Sequence, residues 1–483
     1  MFDFVDFIEI CPLKSPILFL MAFLEPSPVD MVISETTIPK ATDSLPMKII
    51  MRERLFLLSL ENAIFLEKLI GNFKIMNLRA KSKNFVLIIL MLFVNNQFFN
   101  AQKSKNSENE EFVTGADQPE KYLPLLKGKS VGVVTNQTGL VTINKKKQSI
   151  VDFLKENGVA VKRVFAPEHG FRGVADAGEV VKNGVDTKTG IPIVSLYANT
   201  KKPTPAHMKD LDVILFDIQD VGVRFYTYIS TLAYVMEAGA ENGVEIIVLD
   251  RPNPHDGYTD GPVLRKEWTS FVGLHSVPVV YGLTIGEYGK MVNGEKWLKN
   301  KVQAKYTLIK MKGYHKKNRY PLLEKPSPNL PNDKAINLYP SLCFFEGAEV
   351  SVGRGTDIPF QIYGSPWIKN MKYEFTPKPS FGSKNPFLNG QLCYGEDLRN
   401  YDKDLRELSL EWVIKAYKNY KNPQKSFFLK DAKGKYWFDT LAGTDELRKQ
   451  IIAGKSEAEI RQTWQKGLSD FEKIRTKYVV YQD

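Results

Sequence analysis

Glu168, His169 and Arg172 stand together in the run APEHGFRG (166–173). A carboxylate, an imidazole and a guanidinium so close in sequence supply an acid, a second proton carrier and a fixed positive charge. These are the groups that bond cleavage by proton transfer uses. The run begins where a short apolar stretch (161–166) stops at Pro167. A buried strand that opens into a glycine-flanked loop is how α/β proteins place sites at the carboxyl ends of their strands. Asp176 and Glu179 follow among further glycines before the next apolar run at 191–197.

Three other apolar runs deliver polar groups in the same way. The run 130–135 ends at Asn136 and Gln137, and 213–216 leads into Asp217, Gln219, Asp220 and Arg224, then Tyr226 and Tyr228. The run 245–249 ends at Asp250, Arg251 and Asn253. Each of these residues has a structural explanation by itself. Asp250 and Arg251 read as an internal ion pair, Asp217 or Asp220 as a helix cap, and Arg224 as a partner of Asp220. Taken together they point to one crevice, because parallel strands present their carboxyl ends along one edge.

The elements that must position these groups alternate. Helical spacing at 149–157 and 228–242, each closed by a glycine, separates the apolar runs, which predicts a largely parallel, Rossmann-like α/β sheet. The first strand is not followed by GxGxxG, so a nicotinamide or flavin cofactor is not implied. Beyond the apolar run 274–281, Thr284 and Glu287 have capping-box spacing at the head of a helix, so Glu287 reads as a cap. Residues 310–337 are rich in Lys, Pro and Asn and hold the expected domain boundary, set at 320/321. The following part (321–483) reads as a smaller α+β domain with helices at 408–420 and 456–475. Near its start, Glu346, Glu349, Arg354, Asp357 and Gln361 lie among glycines, as in a loop that closes over the first domain. The active site is therefore expected in the cleft between a 121–320 domain and the 321–483 domain.

The first part of the chain reads differently. Arg79, Lys81 and Lys83 precede an apolar stretch at 85–94 and the small residue Ala101, the pattern of a signal peptide over 76–101. Residues 1–75 are expected to be an upstream extension, with Met76 as the natural start, and 102–120 a flexible tether. The expected location is periplasmic or secreted, with no membrane anchor left after cleavage. Cys343 and Cys393 permit a disulfide in such a compartment without requiring one. Neither CxxC nor HxxxH spacing occurs, which argues against a zinc site. The net charge of +11 is spread rather than clustered with aromatics, which disfavours nucleic acid and suits a polyanionic partner such as a cell wall.

Four stretches in order, APEHG (166–170), DIQDVGVRFYTYI (217–229), LDRPNP (249–254) and EVSVGRGTDIPF (349–360), resemble the exo-β-N-acetylmuramidase family of glycoside hydrolases. The resemblance runs from about Tyr122 to the C-terminus. It implies a two-domain protein that releases terminal N-acetylmuramic acid from the non-reducing end of peptidoglycan fragments, without a cofactor. Glu168 matches the family's catalytic glutamate and is expected to be the general acid, a task served by a raised pKa. Asp220, Asp217, Glu179 and Asp250 are candidates for a second carboxylate, and His169 or Tyr226 for an atypical partner. An acetamido oxygen of the substrate would dispense with a second carboxylate altogether. Arg172, Arg224 and Arg354 are candidate cations for the lactyl carboxylate of muramic acid. Tyr226, Tyr228 and Tyr281 are candidates for stacking on the sugar, and Asn136, Asp217, Gln219, Asp250, Arg251 and Asn253 are expected to line the site. A non-catalytic wall-sugar binder on the same scaffold stays open. An esterase or amidase would want a GxSxG elbow, which is lacking.

Overall fold

In the run VILFD (213–217) every residue is buried, and its side chains divide between two cores. Ile214 and Phe216 join one apolar cluster, Val213 and Leu215 the other, as the two-residue period of a strand requires. The run is the middle of a sheet covered on both faces. The computed structural model describes residues 111–482 apart from 169, 173–182, 198–199 and 323. The expected extension and signal peptide, residues 102–110 of the tether, and His169, Asp176 and Glu179 lie outside the described residues. The rest of the expected tether is packed on the fold, with Thr114, Ala116 and Gln118 buried and Val113 bridged to Lys312.

In chain order the first half contains α1 (Pro119–Leu126), β1 (Ser130–Thr135), a hairpin of β2 (Leu140–Ile143) and β3 (Lys146–Ser149), α2 (Ile150–Glu156) and β4 (Ala160–Ala166). It continues with β5 (Gly184–Val185), β6 (Pro192–Ser195), α3 (Pro205–Met208), β7 (Val213–Asp217), α4 (Tyr228–Asn242), β8 (Glu245–Leu249), α5 (Ile285–Gly294) and β9 (Tyr306–Ile309). The sheet order is β5-β6-β4-β1-β7-β8-β9, parallel throughout except where β5 meets β6. Strands β4, β1, β7 and β8 are therefore neighbours, and their carboxyl ends share one edge. Helix α4 stops because Gly243 takes a left-handed conformation (φ 71°), and α5 begins with the Thr284–Glu287 capping box in place.

The second half contains α6 (Asp333–Leu342), a three-stranded sheet of β10 (Ile362–Ser365), β11 (Tyr373–Phe375) and β12 (Cys393–Asp397), and then α7 (Glu411–Asn419), α8 (Trp437–Ala442), α9 (Glu446–Ile452) and α10 (Glu457–Arg475). One apolar cluster runs from Ile214 and Phe216 of β7 through α4 to Trp412, Phe438 and Trp464 of the second half. The architecture is the expected one, a mainly parallel Rossmann-like sheet followed by a smaller α+β part.

The structure decides three points that the sequence left open. The run 274–281 forms no strand and contributes only isolated bridges from Val280 to Val223 and Asp260. Helix α6 begins inside the segment 310–337 that holds the expected domain boundary; Asn332 caps it by accepting from the Ala335 amide at 2.9 Å. Cys343 and Cys393 are separate buried thiols in different apolar clusters, so they form no disulfide.

Candidate active site

A cavity of about 1030 Å³ opens between the carboxyl edge of the parallel sheet and the second half of the chain. Glu168, just beyond β4, stands on its wall with Tyr197, Lys201, Tyr226 and Thr227, while the second half contributes Tyr339, Glu346, Arg354 and Trp437. Two hydroxyls hold the Glu168 carboxylate. Tyr197 donates to Oε1 at 2.9 Å and Thr227 donates to Oε2 at 3.3 Å. Thr227 precedes α4 at the cap position, yet its side chain makes no capping bond to the helix. Burial, and then the negative charge of Glu168, raise the Tyr197 phenol, so it stays a donor.

Arg354 brings the cavity a cation. Its Nε lies 2.8 Å from Glu346 Oε1, and its guanidinium stands 5.0 Å over the Phe360 ring. Burial works against its charge, but Glu346 more than compensates and raises its pKa. Nη1 of Arg354 is buried without a hydrogen-bond partner among the described residues. A carboxylate on a ligand would satisfy it. Lys201 offers a second cation on the same wall, with Nζ 4.5 Å above the face of Phe271.

Of the residues expected at the site, the structure brings Glu168, Tyr226 and Arg354 to the cavity wall. The strand ends do converge, but most of their polar groups bond one another and the backbone in the layer behind it. Asp217 and Arg251 form a buried bidentate pair at 2.6 and 2.9 Å, so Asp217 is not a helix cap and Arg251 is not paired with Asp250. Asp250 instead accepts from Thr284, from the Gly286 amide and from Tyr481 of the returning C-terminal segment. Burial pushes its pKa up to about 7. Asp220 is buried, accepts from Tyr281 and the Gly222 amide, and has a pKa pushed up to about 6 by burial. Gln219 donates to the carbonyls of Asp220 and Pro252, and Asn253 to that of Leu283.

Arg224 corrects two expectations at once. It is wholly buried, is not paired with Asp220, and cannot meet a substrate carboxylate. Its two terminal nitrogens donate to the carbonyls of Pro262, Val277, Leu441 and Ala442 at 2.7–2.9 Å. It thereby ties the segment before α4 to the end of α8. Arg172 binds Asp186 at 2.8 Å and stands 3.6 Å from Asp152. Asn136 donates to the Tyr228 hydroxyl at 2.7 Å, and Tyr228 meets Tyr226 edge to face at 4.9 Å. These two residues support the wall through Tyr226, whose own hydroxyl donates to the Pro326 carbonyl.

Sequence reasoning passed over Tyr197, Lys201, Thr227 and Trp437. Tyr197 had a readable signal, since it closes the apolar run 191–197 as Glu168 follows 161–166. Lys201 and Trp437 had none, because tertiary packing alone brings a linker lysine and a helix-start tryptophan to the cavity.

Two family models match the chain. "Exo-beta-N-acetylmuramidase NamZ, N-terminal" covers residues 131–334, and "Exo-beta-N-acetylmuramidase NamZ, C-terminal" covers 337–481. The chain is 40% identical over 401 residues to the peptidoglycan beta-N-acetylmuramidase NamZ of Bacillus subtilis (strain 168), a match spanning 78% of this chain and 94% of that one. It is also similar to two crystal structures of DUF1343 family proteins from Bacteroides fragilis NCTC 9343. These are 42% and 30% identical, with TM-scores of 0.69 and 0.64, and each match covers 77% of this chain and 99% of the other.

Proposed function

Because the chain belongs to the exo-β-N-acetylmuramidase family, we propose that it hydrolyses the terminal β-linkage of N-acetylmuramic acid at the non-reducing end of peptidoglycan fragments, with Glu168 as general acid. The observation that carries this reading is the setting of Glu168: a carboxyl group on the wall of a large cavity, its two oxygens oriented by Tyr197 and Thr227. In glycoside hydrolysis the acid gives its proton to the leaving oxygen as the bond to the anomeric carbon breaks. The hydroxyls fix the rotamer from which that transfer occurs.

The wall also bears on the nucleophile. Among the described residues lining the cavity, the other carboxylate is Glu346, which Arg354 holds. Asp217, Asp220 and Asp250 are buried in internal bonds. Attack by the substrate's own acetamido oxygen is the course proposed; Glu179 and His169, outside the described residues, are the alternative second groups. The Glu168 carboxylate left behind would then take a proton from the water that reopens the ring. Arg354 and Lys201 are the cations proposed to recognise the lactyl carboxylate.

The signal-peptide reading of 76–101 adds that the enzyme works outside the cytoplasm, and the net charge of +11 suits an anionic wall. The division into a catalytic domain at 121–320 and a second domain at 321–483 belongs to the same proposal. Incubation with chromogenic β-glycosides of N-acetylmuramic acid and of N-acetylglucosamine tests the activity. Release from the muramic substrate alone supports the reading. Release from neither, by a folded protein, favours a wall-sugar binder.

A further inference from the structure

Two aromatic rings on the cavity wall stay partly exposed, and a third lies next to a lining residue. Phe387 is 43% exposed and Trp437 38% exposed, and both line the cavity that contains Glu168. Phe381, next to the lining residue Gly382, is 75% exposed. Large apolar rings that line a cavity and stay this exposed mark a binding surface.

Fixed backbone carries these rings. Ser380 and Ser383 bond each other through both pairs of backbone groups at 3.0 Å, which makes a closed turn with Phe381 at its tip. Gly382 has φ +85° in that turn, and its carbonyl accepts from Asn329 at 2.7 Å. On the other side Pro386 packs on Gly355, where an added Cβ would come within 2.7 Å of the proline ring. Trp437 opens α8, with its amide donating to the Leu429 carbonyl at 3.1 Å. Rings held this way need little ordering when a ligand arrives.

We infer that Phe381, Phe387 and Trp437 form a binding site for the leaving-group side of the glycan, stacking on the N-acetylglucosamine-containing chain that continues beyond the cleaved bond. The inference rests on the hydrolase reading. An exo-acting site admits one terminal sugar, and the rest of the chain must leave through the mouth. At about 1030 Å³ the cavity is at the upper end of the range for small-molecule sites, so a single sugar ring does not fill it. Pyranose rings present C–H faces of slight positive potential, which match the negative face of an aromatic ring. Lys384 and Asn385, on the same wall, place polar groups beside the rings for hydroxyl and acetamido contacts.

The test uses oligomers of N-acetylglucosamine, which lack muramic acid and so cannot be cut by a muramidase. Their binding to the wild-type protein, to Trp437→Ala and to Phe387→Ala is measured by calorimetry, with thermal melts to show that the variants are folded. KM is measured in parallel on muramic-terminated disaccharide and tetrasaccharide. The expected result is binding by the wild type, weakened at least about tenfold in each folded variant, and a fall in KM with chain length that the variants lose. Absent binding to the wild type, or equal binding in all three proteins, overturns the inference. So does a defect confined to peptide-bearing substrates, which would assign the rim to the stem peptide. Oligomer binding without release of muramic acid from either substrate overturns the hydrolase reading instead.

Discussion

Thr227 begins helix α4, but its hydroxyl lies 3.3 Å from Glu168 Oε2 and makes no bond to the helix's own amides. A threonine at a helix start ordinarily stabilises the helix by capping it. Here that side chain is given to a carboxylate on the cavity wall. The expected consequence is a functional cost without a large stability cost. Thr227→Val, and more strongly Tyr197→Phe, should lower kcat on muramic substrates by about ten- to a hundredfold, the value of one or two hydrogen bonds to a charged group. Both variants should melt within a few degrees of wild type. Steady-state kinetics with parallel calorimetry checks this.

On the cavity wall Arg354 has a buried nitrogen without a partner among the described residues, and Lys201 stands over Phe271 on the same wall. If they read the lactyl carboxylate, Arg354→Lys should lose the planar fork and raise KM for muramic substrates by about tenfold. Lys201→Met should act in the same direction. Neither should weaken the binding of N-acetylglucosamine oligomers, so KM on the muramic substrate is measured beside the affinity for those oligomers.

Arg224 has a structural role that can be separated from the chemistry. Replacing it with Met takes a donor from four buried carbonyls, of which that of Val277 keeps the Leu264 amide and those of Pro262, Leu441 and Ala442 lose the guanidinium. At about 1–3 kcal/mol for each unsatisfied buried group, partly relieved by relaxation, the loss should be at least about 3 kcal/mol. Denaturant unfolding should show this as a lower midpoint.

Asp250 gives a pH dependence whose sign follows from its burial. Its folded pKa is pushed up to about 7, above the ordinary carboxylate value. The folded state therefore holds its proton more tightly than the unfolded state, and stability falls as pH rises from about 4 through 7. Asp250→Asn removes the titration, so the variant's stability should decline less across that window. Melting curves from pH 4 to 8 compare the two.

The parallel sheet was legible because its strands are continuous apolar runs stopped by polar or glycine-rich turns, and α4 because Gly243 ends it. Glu168 was legible because it follows such a stop. Asp217, Arg224 and Arg251 misled for a physical reason. The edge that places polar groups toward a crevice also buries a layer of them beneath it, and sequence does not say which layer a residue joins. The three-stranded sheet of the second half was hidden because its strands are only three to five residues long, and β11 and β12 are of mixed burial. Trp437 reaches the mouth only through the packing of α8 on the shared core.

The central claim is that Glu168 protonates the leaving oxygen, and leaving-group dependence tests it most directly. Glu168→Gln and the wild type are compared on the natural muramic disaccharide and on a dinitrophenyl muramic glycoside, whose leaving group needs no proton. Loss of about a hundred- to ten-thousandfold in kcat/KM on the disaccharide, with a much smaller loss on the dinitrophenyl substrate, is the expected result. Equal losses on both substrates, or activity retained on both, would contradict it.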